Sequence, residues 1–396
     1  MKILVIADIY PSKENPVSGV FIKEQVEQLK KHHIVSVMVI NRIFIRVASG
    51  AFLRYIFRKA FNADKAREEG VFRVEYPVFI LFAKPLHIFN GICACLTAFA
   101  KLKNTGFRPE LIYTYKTFPA GYIGWKIGKR LELPVVNMEF QGPFAGYFNE
   151  PRLGAKVIKT INNIAYTIYT AFQLTELQAL GARPEKLRLG YFGVDTDKFF
   201  LDLNEYKNRL LEIKAGRVKL LVISRLEENK GIRYLIEAME MLRKEFPYIQ
   251  LSIIGPMDEG GEALLELIGS KNMGAHILYS GACNNEELPA VIAKHDILVS
   301  PSLYETFGVT IIEALSCGKP VVATKCGGPE ETVTGEVGLL VEKADPQSLA
   351  NGIKCVIDNY ERYDPEVIRG YAVGHFSQDI VLGNLNKLFE EAARGG

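Results

Sequence analysis

Short apolar runs that stop at a polar or glycine-containing turn recur along the chain, and helical periodicity follows most of them. The runs 2–7 (KILVIA), 34–40, 111–115 and 134–138 fall in the first half; 219–224, 251–255, 277–281, 296–300, 320–323 and 338–341 fall in the second. Continuous apolar runs of this length suit parallel strands buried on both faces. Between them, 21–31, 121–131, 232–246, 285–294, 309–317, 346–357 and 379–393 read as helices; in the first, Phe21, Val26 and Leu29 are apolar. Strands alternating with helices predict an α/β chain of doubly wound units.

The stretch 301–324 concentrates the unusual positions. Strand 296–300 leads into a loop at 301–306, then a helix at 309–317 with Ile311, Ile312, Ala314 and Leu315 apolar. Gly318 suits a left-handed C-cap and Pro320 prevents continuation. Glu305 lies in the loop and Glu313 inside the apolar helix. A carboxylate on such a helix is costly unless it meets donors, so Glu313 either points toward a ligand or faces water. Glu305 lies where a strand's C-terminal end meets a helix N-terminus. Open α/β sheets bind ligands there, and first-turn amides bind anions.

At 396 residues the chain is too long for one ordinary core, and two domains are expected. Its 48% hydrophobic and 23% charged residues are globular values, and a net charge of +3 gives no argument for nucleic acid as a partner. The six cysteines form no CxxC pair and no zinc-type spacing with histidine; they read as small core residues in a reducing compartment. The opening apolar run stops at Asp8, too soon for the core of a signal peptide. The greasy stretch 76–100 is interrupted by Lys84, Pro85, His87 and Asn90 and reads as non-spanning.

Two stretches, 42–65 and 152–174, interleave Lys and Arg with aromatic and aliphatic residues. Two readings stand: amphipathic helices packed on the sheet with snorkelling cations, or a basic-aromatic face lying on an anionic membrane. The expected location is cytoplasmic, with peripheral attachment to the inner face of the plasma membrane on the second reading.

The run E-T-F-G-V-T-I-I-E-A-L-S-C-G-K-P-V-V-A, with Glu305 and Glu313 at fixed spacing, resembles the E-x7-E signature of the family 4 (group 1) retaining glycosyltransferases of GT-B fold. Further segments share the likeness: S-R-L-E-E-N-K-G at 224–231, the turn 255–258, the loop 281–283, C-G-G-P-E-E at 326–331, and G-V-D-T-D-K-F at 193–199. Ser224 replaces the family's usual Gly, Phe192 its usual Asn, and Ser18-Gly19 its usual Gly-Gly. Gln141 stands where the family usually has His, and glutamine cannot carry a proton.

The resemblance implies two Rossmann-like doubly wound domains facing a central cleft. The first, 1–195, would bind the acceptor and the second, 196–375, the nucleotide-sugar; a last helix at about 376–396 would cross back to the first. It implies a nucleoside diphosphate sugar donor contacted by Gly19, Ser224, Gly255, Ala282, Phe307, Gly308, Val309 and Glu313. Glu313 would hold the ribose hydroxyls, and Gln141 would position donor or acceptor. Arg225, Lys230 and Glu305 are the candidate catalytic residues: two fixed cations for the departing diphosphate and a carboxylate for orientation and charge stabilisation. No cofactor and no metal are expected. Asp195-Thr196-Asp197 reads as a hinge and helix cap rather than a metal clamp. The expected activity is transfer of a hexosyl-type group to a glycan or lipid-linked acceptor with retention of configuration, in cell-envelope or exopolysaccharide synthesis. A sugar-nucleotide epimerase and a non-catalytic nucleotide-sugar-binding subunit are the rival readings.

Overall fold

The computed structural model describes residues 1–12, 18–46, 70–81, 84–85, 87–257 and 260–395. The chain forms two compact units, Met1–Tyr191 with Leu382–Gly396, and Phe192–Val381.

Unit 1 carries β1 (Lys2–Ala7), β2 (Ile34–Arg46), β3 (Val71–Leu81), β4 (Lys84–Pro85), β5 (Leu111–Tyr115), β6 (Val135–Met138), β7 (Tyr166–Tyr169) and β8 (Leu187–Leu189). They form one eight-stranded sheet, order β4-β3-β2-β1-β5-β6-β7-β8. Every pairing is parallel except β3 with β4. Ile3 to Ala7 and Leu111 to Tyr115 are fully buried, as central strands covered by helices on both faces must be. Chain order reverses between β1 and β5, so their C-terminal ends flank a topological switch point.

The last helix, Gln378–Arg394, returns most of its length to unit 1. Phe389 is fully buried there, its ring 5.1 Å from that of Tyr113 on β5. Tyr166 Oη donates to Glu391 Oε1 at 2.7 Å, and His33 Nε2 lies 2.8 Å from Asn386 Oδ1.

Unit 2 carries β9 (Lys219–Ile223), β10 (Gln250–Ile254), β11 (Ile277–Tyr279), β12 (Ile297–Ser300), β13 (Val321–Thr324) and β14 (Gly338–Val341) in an all-parallel sheet, order β11-β10-β9-β12-β13-β14. Its switch point lies between β9 and β12. Leu220, Val222, Leu251, Ile253, Ile297 and Val299 share one core with Leu235, Met239 and Ile353 from the flanking helices. A fully buried Leu or Ile contributes about 1.5–3 kcal/mol each. At the foot of β12, Asp296 accepts from Arg209 Nε and Nη2, both at 2.8 Å, and from the Lys219 amide at 2.7 Å. This buried pair ties the helix Leu203–Lys214 to the two central strands.

Several expectations need correction. The stretch 152–174 is not one amphipathic helix: Pro151–Asn163 is helical, and β7 and the helix Ala171–Ala179 follow. Asn162 and Asn163 end the first helix, with Asn162 Nδ2 donating to the Gly181 carbonyl, and the β-favouring YTIY run joins the sheet. Of the stretch 42–65, residues 42–46 complete β2 and 47–65 lie outside the described residues, as do 13–17 of the first loop and Asp258. The helix expected at 285–294 is shorter, Leu288–Ala293, and that at 232–246 ends at Leu242, ahead of Pro247. Among the described residues, no helix is long and apolar enough to cross a membrane.

Candidate active site

The site is built from loops that leave the C-terminal edge of the unit 2 sheet. After β9, a 3-10 turn at Glu228–Lys230 runs into the helix Ile232–Leu242 through Gly231, whose φ of 63° is left-handed. A Cβ at Gly231 would lie 2.0 Å from the Pro301 carbonyl oxygen, so only glycine lets this turn lie against the loop after β12. The Leu303 amide donates to the Asn229 carbonyl at 2.8 Å across the same junction. Next door, a Cβ at Gly255 would fall 1.8 Å from the Ser224 carbonyl oxygen, and the Gly255 amide donates to Gly281 at 2.8 Å. Four loops, those after β9, β10, β11 and β12, are thus held together by backbone contact.

The approach of the first two loops brings Lys230 to Glu305. Lys230 Nζ donates to Glu305 Oε2 at 2.8 Å, with the side chains 21% and 20% exposed. Glu305 Oε1 accepts from the Thr306 amide at 3.1 Å. Its backbone bridges to the loop after β13: the Gly328 amide donates to the Glu305 carbonyl at 2.7 Å. The carboxylate is held in orientation from both oxygens and both sides of its backbone.

Gly308, φ 89°, starts the helix Val309–Ser316. The first amides of such a helix have no acceptor within it and carry the positive end of its dipole. Phe307 is buried against Phe376, ring centroids 5.8 Å apart. Glu313, on the second turn, is buried among Ile311, Ile312, Ala314 and Leu315. Burial pushes the nearby Cys317 thiol up to about 12, so it carries no thiolate chemistry at neutral pH.

Arg225 is placed differently from Lys230. Its side chain is 61% exposed and its Nε lies 2.9 Å from Glu227 Oε1. Ser224 Oγ is buried and has no hydrogen-bond partner among the described residues. Ala282 is exposed beyond β11. Asp195 Oδ1 accepts from the Asp197 and Lys198 amides, both at 3.1 Å, which is turn-capping geometry. The Val194 amide donates to Phe376 at 2.8 Å and its carbonyl accepts from Gln378 at 3.0 Å, so the first and last segments of unit 2 run side by side.

Gly19 and Gln141 belong to unit 1. Gly19, φ 73°, caps the helix Val20–Lys30, and a Cβ there would meet the Ile9 carbonyl at 3.0 Å. Gln141 Oε1 accepts from Tyr147 Oη at 3.0 Å, and its backbone is held by Glu139 and Gln173.

Unit 1 also holds groups that sequence reasoning missed. Asp8 directly follows β1 and Lys116 directly follows β5; Lys116 Nζ lies 3.5 Å from Asp8 Oδ1. Arg42 Nη2 approaches the other oxygen at 3.4 Å. Each unit therefore places a lysine–carboxylate pair at its switch point. Lys116 has φ 70°, a strained value for a residue with a Cβ. Glu139, after β6, is buried and accepts from the Thr117 and Gln141 amides, both at 2.7 Å; burial raises its pKa against the lowering pull of those bonds. The available signal was position alone: a charged residue immediately after a buried strand.

Residues 205–368 match the family model described as Glycosyl transferases group 1. The D-inositol 3-phosphate glycosyltransferase of Corynebacterium jeikeium (strain K411) is 32% identical over 219 residues, 52% of this chain and 51% of that protein. The chain spans about half the length of the curated relatives it matches. In three dimensions it is similar to sucrose-phosphate synthase from Thermosynechococcus elongatus, with a TM-score of 0.77, 20% identity and full coverage of both chains. It is also similar to HepE from Anabaena in complex with UDP, with a TM-score of 0.74 and 19% identity, covering 99% of this chain and 100% of that one. Residues 205–368 are thus similar to the group 1 glycosyltransferases, and the two parallel-sheet, Rossmann-like units of the chain have the GT-B fold.

Proposed function

We propose that the protein transfers a hexosyl-type group from a nucleoside diphosphate sugar to a hydroxyl of a glycan or lipid-linked acceptor, with retention of configuration and without a metal. The Lys230–Glu305 pair at the unit 2 switch point, beside the helix that starts at Gly308, carries this reading. It supplies a fixed cation, an oriented carboxylate and free helix amides where an anionic ligand binds in open α/β sheets. HepE, a structural neighbour of this fold, is known in complex with UDP and with UDP-glucose.

In this reading the donor's diphosphate lies against the Val309 amide and Lys230, with Arg225 as a further contact. As the bond between the anomeric carbon and the phosphate oxygen breaks, negative charge grows on the diphosphate, and these groups stabilise it. Preorganised electrostatics of this kind is usually the largest catalytic term. The acceptor oxygen bonds to the anomeric carbon on the face the phosphate leaves, and its proton passes to the departing phosphate oxygen. Glu305 orients the sugar and holds Lys230. Glu313 takes the ribose hydroxyls, while Ser224, Gly255 and Ala282 bracket the nucleotide. Gln141 and the Lys116–Asp8 pair serve the acceptor side, with both signs of charge for a hydroxyl-rich molecule. The lipid-linked, cell-envelope acceptor accords with the basic and aromatic character of the first half of the chain, and so does attachment to the inner face of the plasma membrane.

The test is thermal stability against a panel of nucleoside diphosphates and their sugars, with and without EDTA. A ligand at a hundred times its Kd adds about 2.7 kcal/mol to native stability. A nucleotide-selective rise that EDTA leaves intact is expected. A rise abolished by EDTA would overturn metal independence, and no rise with any nucleotide would overturn the donor assignment. Binding without transfer to any acceptor would favour the non-catalytic reading.

A further inference from the structure

Away from the candidate site, unit 1 contains a cavity of about 270 Å³ between the helices His87–Thr105 and Tyr122–Leu131. Its lining is largely apolar, with Cys95, Phe99, Tyr122 and Ile127, and it carries the cations Lys126 and Arg130. Ile127 is buried, whereas Leu96, also in the lining, is 59% exposed. The cavity therefore joins an apolar interior to solvent.

A glycine keeps it open. Gly91 lies inside the first of these helices, where glycine costs about 0.5–1 kcal/mol relative to alanine. A Cβ there would reach 3.3 Å from a Tyr122 ring carbon and 3.6 Å from Lys156 Nζ. The helix accepts a weak residue at the position where any side chain would intrude on the lining.

The cations are held by rings. The Arg130 guanidinium lies 4.2 Å from the Phe99 ring centroid, and Lys126 Nζ lies 4.1 Å from that of Trp125. Lys156 Nζ sits 5.4 Å from the Tyr122 ring, and burial lowers its pKa, with repulsion from Lys126 adding to the effect. Among the described residues no carboxylate pairs with Lys126 or Arg130. Positive charge is concentrated beside an apolar lining, which complements a ligand with an anionic head and a hydrocarbon tail. A small inorganic anion would leave the apolar lining unused.

We propose that this cavity seats an anionic phospholipid of a bilayer, its phosphate on Lys126 and Arg130 and its acyl chain against Leu96, Phe99 and Ile127, so that unit 1 docks on an anionic membrane surface. The proposal is independent of the transfer chemistry: its failure would leave the donor site as described, and failure of the donor site would leave it standing.

Co-sedimentation of the full chain with phosphatidylcholine vesicles, with and without phosphatidylglycerol, tests it. Binding is expected only with phosphatidylglycerol. Lys126→Gln/Arg130→Gln should weaken it about 30-fold, roughly fivefold per cation. The control Lys31→Gln/Arg108→Gln removes the same charge elsewhere on unit 1 and should cost less than about threefold. Gly91→Leu, which keeps every cation, should also weaken binding if its melting temperature matches wild type. Equal loss in the two double variants would overturn the proposal in favour of general charge attraction. Unchanged binding in the Lys126/Arg130 variant would also overturn it. So would competition by glycerol phosphate at concentrations matching the vesicle lipid, which would make the occupant a soluble anion.

Discussion

Lys230 Nζ lies 2.8 Å from Glu305 Oε2, although 75 positions separate the two residues in sequence. The pair joins the loops after the two central strands of the unit 2 sheet. Lys230→Ala removes the cation assigned to the leaving diphosphate and frees the carboxylate that oriented it. Turnover should fall on the order of 10²–10³-fold. Glu305→Gln keeps the shape and should lose at least about tenfold in kcat through the freed lysine. Steady-state kinetics with a matched donor and acceptor checks both. Near-wild-type kcat in Lys230→Ala would remove it from the charge-stabilising role.

Arg225 gives a sharper contrast, because its side chain is largely exposed and pairs with Glu227. Arg225→Ala should leave the melting temperature within about 1–2 °C, as expected of a surface substitution. If it contacts the diphosphate, the rate should fall on the order of 10²–10³-fold. A loss below about tenfold with an unchanged melt assigns it to the surface instead.

Glu313 is buried within an apolar helix, and its proposed role is affinity rather than chemistry. Charge-assisted hydrogen bonds contribute about 1.5–3 kcal/mol each. Glu313→Gln should therefore raise the nucleotide Kd roughly 10–100-fold while changing kcat much less. Calorimetric titration alongside kinetics separates the two effects. A variant with unaltered nucleotide affinity would remove the ribose assignment.

Gly231→Ala tests the junction that creates the site. A residue with a Cβ in the left-handed region costs about 1–2 kcal/mol, and the overlap with the Pro301 carbonyl adds to it. The melt should fall by about 4–8 °C, at about 2–4 °C per kcal/mol for a unit of this size. Catalysis should fall along with it, because displacing either loop separates Lys230 from Glu305. A melt and kcat like wild type would show that the two loops do not depend on this close approach.

His295, just before β12, is largely buried; its ring nitrogens lie 2.7 Å from the Val291 carbonyl and 2.8 Å from Ser252 Oγ. Burial lowers its pKa from 6.5, with Lys219 and Lys319 acting the same way and Asp296 opposing. The folded state therefore favours neutral imidazole, while the unfolded chain takes up the proton first as pH falls. The stability from this group is complete above pH 6.5 and is lost as pH drops from there toward the lowered value. The melting-temperature difference between wild type and His295→Gln should shrink between about pH 8 and about pH 5. A constant difference would mean that His295 does not titrate in this window.

Local pattern was enough to read all six strands of the unit 2 sheet and β1, β2, β5 and β6 of unit 1, because buried parallel strands are apolar throughout and end at turns; β3, β4, β7 and β8, toward the sheet's two sides, went unread. It was also enough for Glu305 and Glu313 as individual candidates, and the resemblance added Lys230. It did not show that Lys230 and Glu305 meet, since that depends on two loops touching through Gly231, and a lone glycine in a turn reads as punctuation. Asp8 and Lys116 were missed because a charged residue after a strand is common, and only the sheet order makes β1 and β5 neighbours. Arg209 and Asp296 are 87 positions apart, and nothing local links them. The helices Leu203–Lys214 and Pro365–Phe376 begin at Asp202 and Asp364, whose side chains cap them; those two caps were the overlooked local signals.

The return of the final helix to unit 1 decides how the chain can be divided. Unit 2 is one continuous stretch, Phe192–Val381, so a single excised fragment retains Lys230, Glu305 and Glu313 together. Unit 1 has no such fragment. Cutting at Tyr191 strips Phe389 from the buried ring of Tyr113 and leaves apolar surface on the eight-stranded sheet. A workable half-molecule on that side needs the terminal helix spliced on by a linker, or a circularly permuted gene that begins near Leu382.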